Sequence, residues 1–205
     1  MKMSSENASD TIVIPRAPQR RRGRERVTTL LTAATAVFTE KGYDAATMTE
    51  IAARAGGSIG SLYLFFPTKE LLARALQADL AEALTRQLDA LRDQVPGGSA
   101  ADLAEALFGV LSDFLAAHPV YAVLSDLRGE DGWKQAMRVK RRGQIAALLA
   151  RATPSLPPGR PELMAVIILH LMRAAIGLTG EAELPMRGTI LAELRLMLRR
   201  HLEEP

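Results

Sequence analysis

The stretch from Thr47 to Lys69 reads T-M-T-E-I-A-A-R-A-G-G-S-I-G-S-L-Y-L-F-F-P-T-K and has little freedom in how it folds. Thr47 with Glu50 three residues later is a capping box: the hydroxyl accepts from the Glu50 N–H and the carboxylate reaches back. Ile51, Ala52 and Ala55 then share one helical face. Gly56 and Gly57 end that helix, because glycine enters the left-handed region without a Cβ penalty. Ser58 caps a second helix, on which Leu62 and Phe66 stand at i and i+4 and face inward. Pro67 closes it, since the residue before a proline avoids the α region. Thr68, with Leu71, Leu72 and Ala75 behind it, starts a third. Helix, glycine turn, helix is the helix-turn-helix unit. Its second helix carries Ser58, Ile59, Gly60, Ser61 and Leu64 toward solvent. Gly60 costs roughly 1 kcal/mol against alanine in a helix interior, which makes sense if something must approach the backbone closely. An ordinary tight corner between two helices would show much the same pattern.

The 205 residues are 48% hydrophobic and only 4% aromatic, with a formal net charge of +3. No alternating β-branched runs read as strands. The fold class is therefore all-α: an N-terminal three-helix helix-turn-helix domain plus a C-terminal helical domain, for which ligand binding and dimerisation are what the resemblance given below implies. Cysteine is absent, which excludes disulfides, thiolate metal sites and cysteine nucleophiles. The first residues lack the charged-then-apolar pattern of a signal peptide. The most apolar stretch, Leu163 to Leu178, is shorter than the roughly 20 residues of a membrane span and contains His170 and Arg173. A cytoplasmic protein with no membrane partner is expected.

The chain divides into a disordered basic arm (1–22), the helix-turn-helix domain (23–69) and the second domain (70–205). Arg20, Arg21 and Arg22 end the arm, and Arg24 and Arg26 follow directly. Beside a helix-turn-helix such a run suits phosphate neutralisation or entry into a minor groove. The first helix is expected from about Arg24 to Lys41, on the stripe Val27, Leu30, Leu31, Ala34, Val37 and Phe38, with Gly42 as its stop. Further helices are expected over 68–94, 100–117, 119–127, 133–152, 162–177 and 188–201. The helix 162–177 is apolar nearly all round, which implies burial on every side and hence a partner subunit. Ile168 and Met172 from it, with Leu191, Leu194, Met197 and Leu198 from the last helix, are the expected seam of a four-helix homodimer interface.

These residues resemble the DNA-binding domain of TetR-type (tetracycline-repressor-like) transcriptional regulators. The matching signals are Ala33-Ala34, Phe38, Glu40, Gly42-Tyr43, Thr47, Ile51-Ala52, Ala55-Gly56, Ser58, Gly60, Leu62-Tyr63, Phe66 and Lys69. The resemblance covers the N-terminal quarter to third. It implies about nine helices, a homodimer, and a repressor that leaves a palindromic operator in double-stranded DNA when a small hydrophobic effector binds the C-terminal domain. It also implies that Thr47, Tyr63 and Lys69 contact phosphates and that Ser58, Ile59, Gly60 and Ser61 face bases. Gly57 stands where valine is usual, so a looser turn is expected. Ile59 replaces a frequent lysine or arginine, Leu64 a frequent histidine and Phe65 a frequent tyrosine. An apolar reading helix of this kind would touch thymine methyls and lean on Tyr63, Lys69 and the arginines for affinity.

In the second domain, Phe108, Leu111, Phe114, Tyr121, Leu124, Trp133, Met137 and His170 are candidates to line an apolar cavity with a few polar handles; ordinary core packing is the alternative for each. The helix from Thr68 onward would join head to cavity. No catalytic, metal or cofactor residues are expected: His118, His170 and His201 are far apart, and H-E-x-x-H, G-x-S-x-G and phosphate-cradling glycine loops are missing. The competing reading is a helical dimeric module that binds a protein partner without binding DNA, to which Ile59, Leu64 and Phe65 would be suited.

Overall fold

The structure, a computed structural model, describes residues 21–94, 99–125, 127, 132–152, 156–181 and 183–203. Among them every regular element is a helix: α1 (Arg21–Ala45), α2 (Met48–Arg54), α3 (Ile59–Phe65), α4 (Lys69–Gln94), α5 (Ala100–Ala117), α6 (Val120–Ser125), α7 (Gly132–Ala152), α8 (Arg160–Gly180) and α9 (Arg187–Glu203). An N-terminal helix-turn-helix head thus precedes a helical C-terminal body.

The first helix starts earlier than the sequence suggests. Arg21, Arg22 and Arg24, expected on or beside a disordered arm, lie in the first turn of α1. Arginine propagates a helix well, and Arg21 pairs with Glu25 one turn on, at 3.5 Å. Arg20 lies outside the described residues. At the other end, Gly42 leaves helical geometry at φ 77° and ψ 169°, so the chain kinks there before a last turn to Ala45.

Leu30, Leu31, Ala34, Val37 and Phe38 of α1 close over Ile51, Ala52, Leu62, Phe66 and Leu72, and all are buried. This centre continues along α4 through Leu76, Leu80, Leu84 and Leu88 into the body without a break. Each fully buried Leu or Phe is worth about 1.5–3 kcal/mol over an exposed one, so α4 is a shared structural spine. It packs on α1 in the head and on α5, α6 and α7 in the body. Behind it, α8 packs on α7 and α9, and α9 on α5. By length and composition α8 is long and apolar enough to cross a membrane, because it begins at Arg160 rather than near Leu163. In this fold it packs against α5, α6, α7 and α9.

The turn between α2 and α3 is a Schellman motif. Gly56 takes φ 62°; its N–H donates to the Ala53 carbonyl and the Gly57 N–H to the Ala52 carbonyl, both at 3.0 Å. The turn is not loose, as the missing valine had suggested. The guanidinium of Arg26 fills the space, and its Nη1 donates to the Ala55 carbonyl at 2.8 Å. A Cβ built on Gly57 would lie 1.8 Å from Arg26 Nη2. An arginine on α1 and a glycine in the turn have exchanged an apolar contact for a charge-assisted cap.

Gly57→Ala should therefore displace Arg26 and cost about 1 kcal/mol, the worth of a typical hydrogen bond. In urea denaturation the double variant Arg26→Ala/Gly57→Ala should be no less stable than Arg26→Ala alone. Additive losses would show that the two residues do not share this space.

Candidate functional site

At the start of α2, the Thr47 N–H and hydroxyl donate to the Glu50 carboxylate at 3.1 and 2.9 Å, and Thr47 Oγ1 accepts from the Glu50 N–H at 3.2 Å. The same carboxylate takes the Lys41 ammonium. That ammonium first, then the Thr47 hydroxyl and N–H, hold the Glu50 pKa down to about 2. The Thr47 hydroxyl, expected on a phosphate, is committed to this box.

Ser58 caps α3 by accepting from the Ser61 N–H at 3.2 Å. The helix has seven residues, about 10 Å of length at 1.5 Å per residue, and an α-helix about 10–12 Å in diameter with its side chains suits a groove ≈ 12 Å wide. Leu62 and Phe66 are buried beneath it. Ile59, Gly60, Tyr63 and Leu64 form one exposed face at i, i+1, i+4 and i+5, with Leu64 84% exposed. Ser58 is exposed beside them and Ser61 is half-buried. A Cβ on Gly60 would meet nothing within 4 Å, so the protein's own packing does not require glycine there.

Lys69 has a different role from the expected one. Its ammonium donates to the carbonyls of Tyr43, Asp44 and Ala46 at 2.8, 3.1 and 2.9 Å. It also lies over the Tyr43 ring, 4.5 Å from the centroid. An ammonium has three donors, and all are used inside the head. The cation closes the end of α1, where the helix dipole favours positive charge. Tyr63 stays exposed. The cations that remain outward are those of α1: Arg22 stands one turn before Arg26, on the face that reaches the α2–α3 turn, and Arg21 and Arg24 are exposed.

In the body a cavity of about 190 Å³ lies among α4, α5, α6, α7 and α8. Leu84, Leu88, Leu111, Val166, Leu169, Met172 and Ile176 give it apolar walls. Arg138, Arg141, Arg142, His170, Arg173, Tyr121 and Ser125 supply its polar groups. Of the residues expected to line it, Leu111, Tyr121 and His170 do so. Phe114 and Leu124 are buried in the core instead; Phe114 backs Tyr121 edge-on at 5.1 Å. Phe108 is packed on the core, Met137 is half-buried away from the lining, and the Trp133 side chain lies outside the described residues. The arginines were missed, although Arg138, Arg141 and Arg142 stand at i, i+3 and i+4, the spacing of one helical face. Among the described residues no group of three His, Asp or Glu side chains could hold a metal ion.

The chain matches two family models, "Bacterial regulatory proteins, tetR family" over residues 30–76 and "Tetracyclin repressor-like, C-terminal domain" over residues 99–202. The second alone spans more than half of the chain. The protein belongs to the TetR family. It is thus a DNA-binding transcriptional regulator with a helix-turn-helix head, and not an enzyme; the protein-binding module without DNA binding is set aside. Comparison with curated proteins finds no match. Solved structures share the fold. A tetR-family transcriptional regulator from Streptomyces coelicolor has TM-score 0.66 at 22% identity, covering 85% of this chain and 79% of that one. SmeT, the repressor of the Stenotrophomonas maltophilia multidrug efflux pump SmeDEF, has TM-score 0.63 at 20% identity, covering 86% and 87%. The fatty acid degradation regulator FadR from Bacillus halodurans has TM-score 0.61 at 19% identity, covering 84% and 94%.

Within this TetR-family head, Lys69→Met should lower stability by about 2 kcal/mol, since it removes a charged donor and orphans carbonyls. Thermal unfolding measures it; an unchanged midpoint would overturn the clamp.

Proposed function

We propose that this TetR-family regulator is a cytoplasmic repressor that binds a palindromic operator as a homodimer and is released when a small molecule enters the cavity. The carrying observation is the continuity of α4. It starts at Lys69, clamped to the head, and Leu84 and Leu88 on the same helix line the cavity. The span from Lys69 to Leu88 is about 28 Å at 1.5 Å per residue. A second link runs through α6, whose Tyr121 and Ser125 line the cavity while the helix packs against α1 and α4. A ligand that prefers one setting of these helices changes the spacing of the two heads, and only its differential affinity for the two settings shifts the equilibrium. Two heads on adjacent major-groove faces need centres about 34 Å apart. SmeT, similar in fold, is itself described as a repressor.

The homodimer seam differs from the one read in the sequence. Ile168, Met172 and Leu198 are 0%, 4% and 1% exposed and belong to the protomer's own core. Leu191 and Leu194 are partly buried against it. The apolar side chains left outward include Leu163, Ile167 and Ala174 on α8, and Met186 in the turn before α9 with Ile190 and Met197 on α9; Leu196 is exposed on another face of α9. Leu163, Met186 and Met197 are 51%, 61% and 53% exposed. Each set follows helical spacing, so each is one stripe, and the two stripes against their symmetry copies make a four-helix contact.

On DNA, the exposed face of α3 reads the major groove through Ile59, Gly60, Tyr63 and Leu64, with Ser58 and Ser61 at its start. Arg21, Arg22 and Arg24 neutralise phosphates. Cations in the first turn of a helix oppose its dipole, and a phosphate backbone relieves that opposition.

Fluorescence anisotropy with DNA flanking the gene should show salt-dependent, palindrome-specific binding. Replacing Arg21, Arg22 and Arg24 together by Ala should flatten the slope of log Kobs against log salt by roughly 0.9 per lost phosphate contact. Salt-independent or absent binding would sink the reading. Gly60→Ala should move two properties in opposite directions: stability rises by up to about 1 kcal/mol, while operator affinity falls because a methyl enters the close approach. Unchanged affinity would remove Gly60 from the interface.

A further inference from the structure

We infer that the cavity takes a small organic carboxylate, its acid group on Arg141 and its apolar body against α4 and α8. This deepens the ligand-release reading and rests on it. The helix α7 carries an inward stripe at Arg138, Arg141, Arg142, Ile145 and Leu149, spaced i, i+3, i+4, i+7 and i+11. Ile145 and Leu149 are fully buried, as the stripe requires. The three positions before them are arginines that open into the cavity, where Arg173 joins them from α8. Among the described residues, no Asp or Glu lines the cavity. Among the described residues, no carboxylate pairs with Arg141, Arg142 or Arg173.

Arg141 is the most committed of these. Its Nη1 donates to the Tyr121 hydroxyl at 3.0 Å, and Phe114 holds the Tyr121 ring edge-on. Its Nε is buried and has no hydrogen-bond partner. A buried donor on a permanent cation is costly to leave unpaired, and a guanidinium fork matches a carboxylate. Converging like charges also repel one another, and an anion removes that repulsion. The walls at Leu84, Leu88, Met172 and Ile176 are apolar, while His170 and Ser125 add two further polar groups, so the rest of the ligand is chiefly hydrocarbon. The size follows from the volume: an apolar cavity of about 150 Å³ accepts benzene, and this one is about 190 Å³. It holds one ring or a short acyl chain beside the acid group.

Isothermal titration of the full chain without DNA tests the class, using benzoate and hexanoate against benzyl alcohol, hexanol and benzylamine. At least one acid should bind ten-fold or more tighter than its alcohol, and benzylamine should not bind. Which acid binds separates an aromatic from an acyl body. Arg141→Met should abolish the preference of acid over alcohol. If that variant unfolds, Arg142→Met and Arg173→Met, both at exposed positions, should each weaken the acid several-fold and leave the alcohol unchanged. Equal binding of acid and alcohol, binding of benzylamine, a preference that survives the arginine variants, or no binding of either acid overturns the proposal. Operator release is read separately by anisotropy. Acids that bind but leave the operator complex intact keep the ligand class and overturn release; alcohols that release the operator while acids do not keep release and overturn the class.

Discussion

One ammonium group sets the geometry on which the rest depends. Lys69 is the first residue of α4, and its three donors are spent on the carbonyls that end α1. The direction in which α4 leaves the head is therefore tied to the far end of α1, beyond the Gly42 kink. Since α4 is also the spine of the body and a wall of the cavity, head and cavity share one rigid element. The core supports this: buried leucines run along α4 from Leu72 to Leu91, and the buried Gln77 among them donates to the Leu124 carbonyl of α6. A displacement at Leu84 or Leu88 has few soft places in which to be absorbed before it reaches the head.

The head shows how a departure from a family pattern is compensated. A valine contact at the turn is lost, and Arg26 occupies its space and caps the Ala55 carbonyl. The charged groups nearest the turn are thereby divided. Arg26, Lys41, Arg54 and Lys69 are held by partners within the head, while Arg21, Arg22 and Arg24 of α1 are exposed. In the proposed DNA complex, the apolar exposed face of α3 and the cationic start of α1 would take two separate tasks. Phosphate contacts supply sequence-independent affinity, and base-edge contacts supply discrimination.

Much of the head was legible in the sequence because its signals are local. The Thr47–Glu50 box, the Ser58 cap, the Gly56 turn and the inward pair Leu62 and Phe66 each involve residues a few positions apart. The backbone rules that govern them need no tertiary partner. The same locality explains the helix order of the body. What failed was a large part of the reading of which way a side chain faces when several faces are apolar: Leu111, Tyr121 and His170 do line the cavity, but Phe114 and Leu124 lie in the core. On α8 the sequence could not separate Ile168 and Met172, which enter the core, from Leu163 and Ile167, which lie on the opposite side. Amphipathic pattern is informative only where one face is polar.

The sequence by itself determined that the chain is helical, that it carries a helix-turn-helix head, and which glycines and caps shape it. Those are properties of short segments, set by backbone sterics and the hydrogen bonds of helix ends. Only the tertiary structure decided what Lys69, Arg26 and Arg141 do, because their partners lie 20 or more residues away. A cation reads the same in sequence whether it meets a phosphate, a carbonyl or a cavity. The distinction comes from what the fold places within about 3 Å of it, and for Arg141 the fold leaves one buried nitrogen with no hydrogen-bond partner among the described residues.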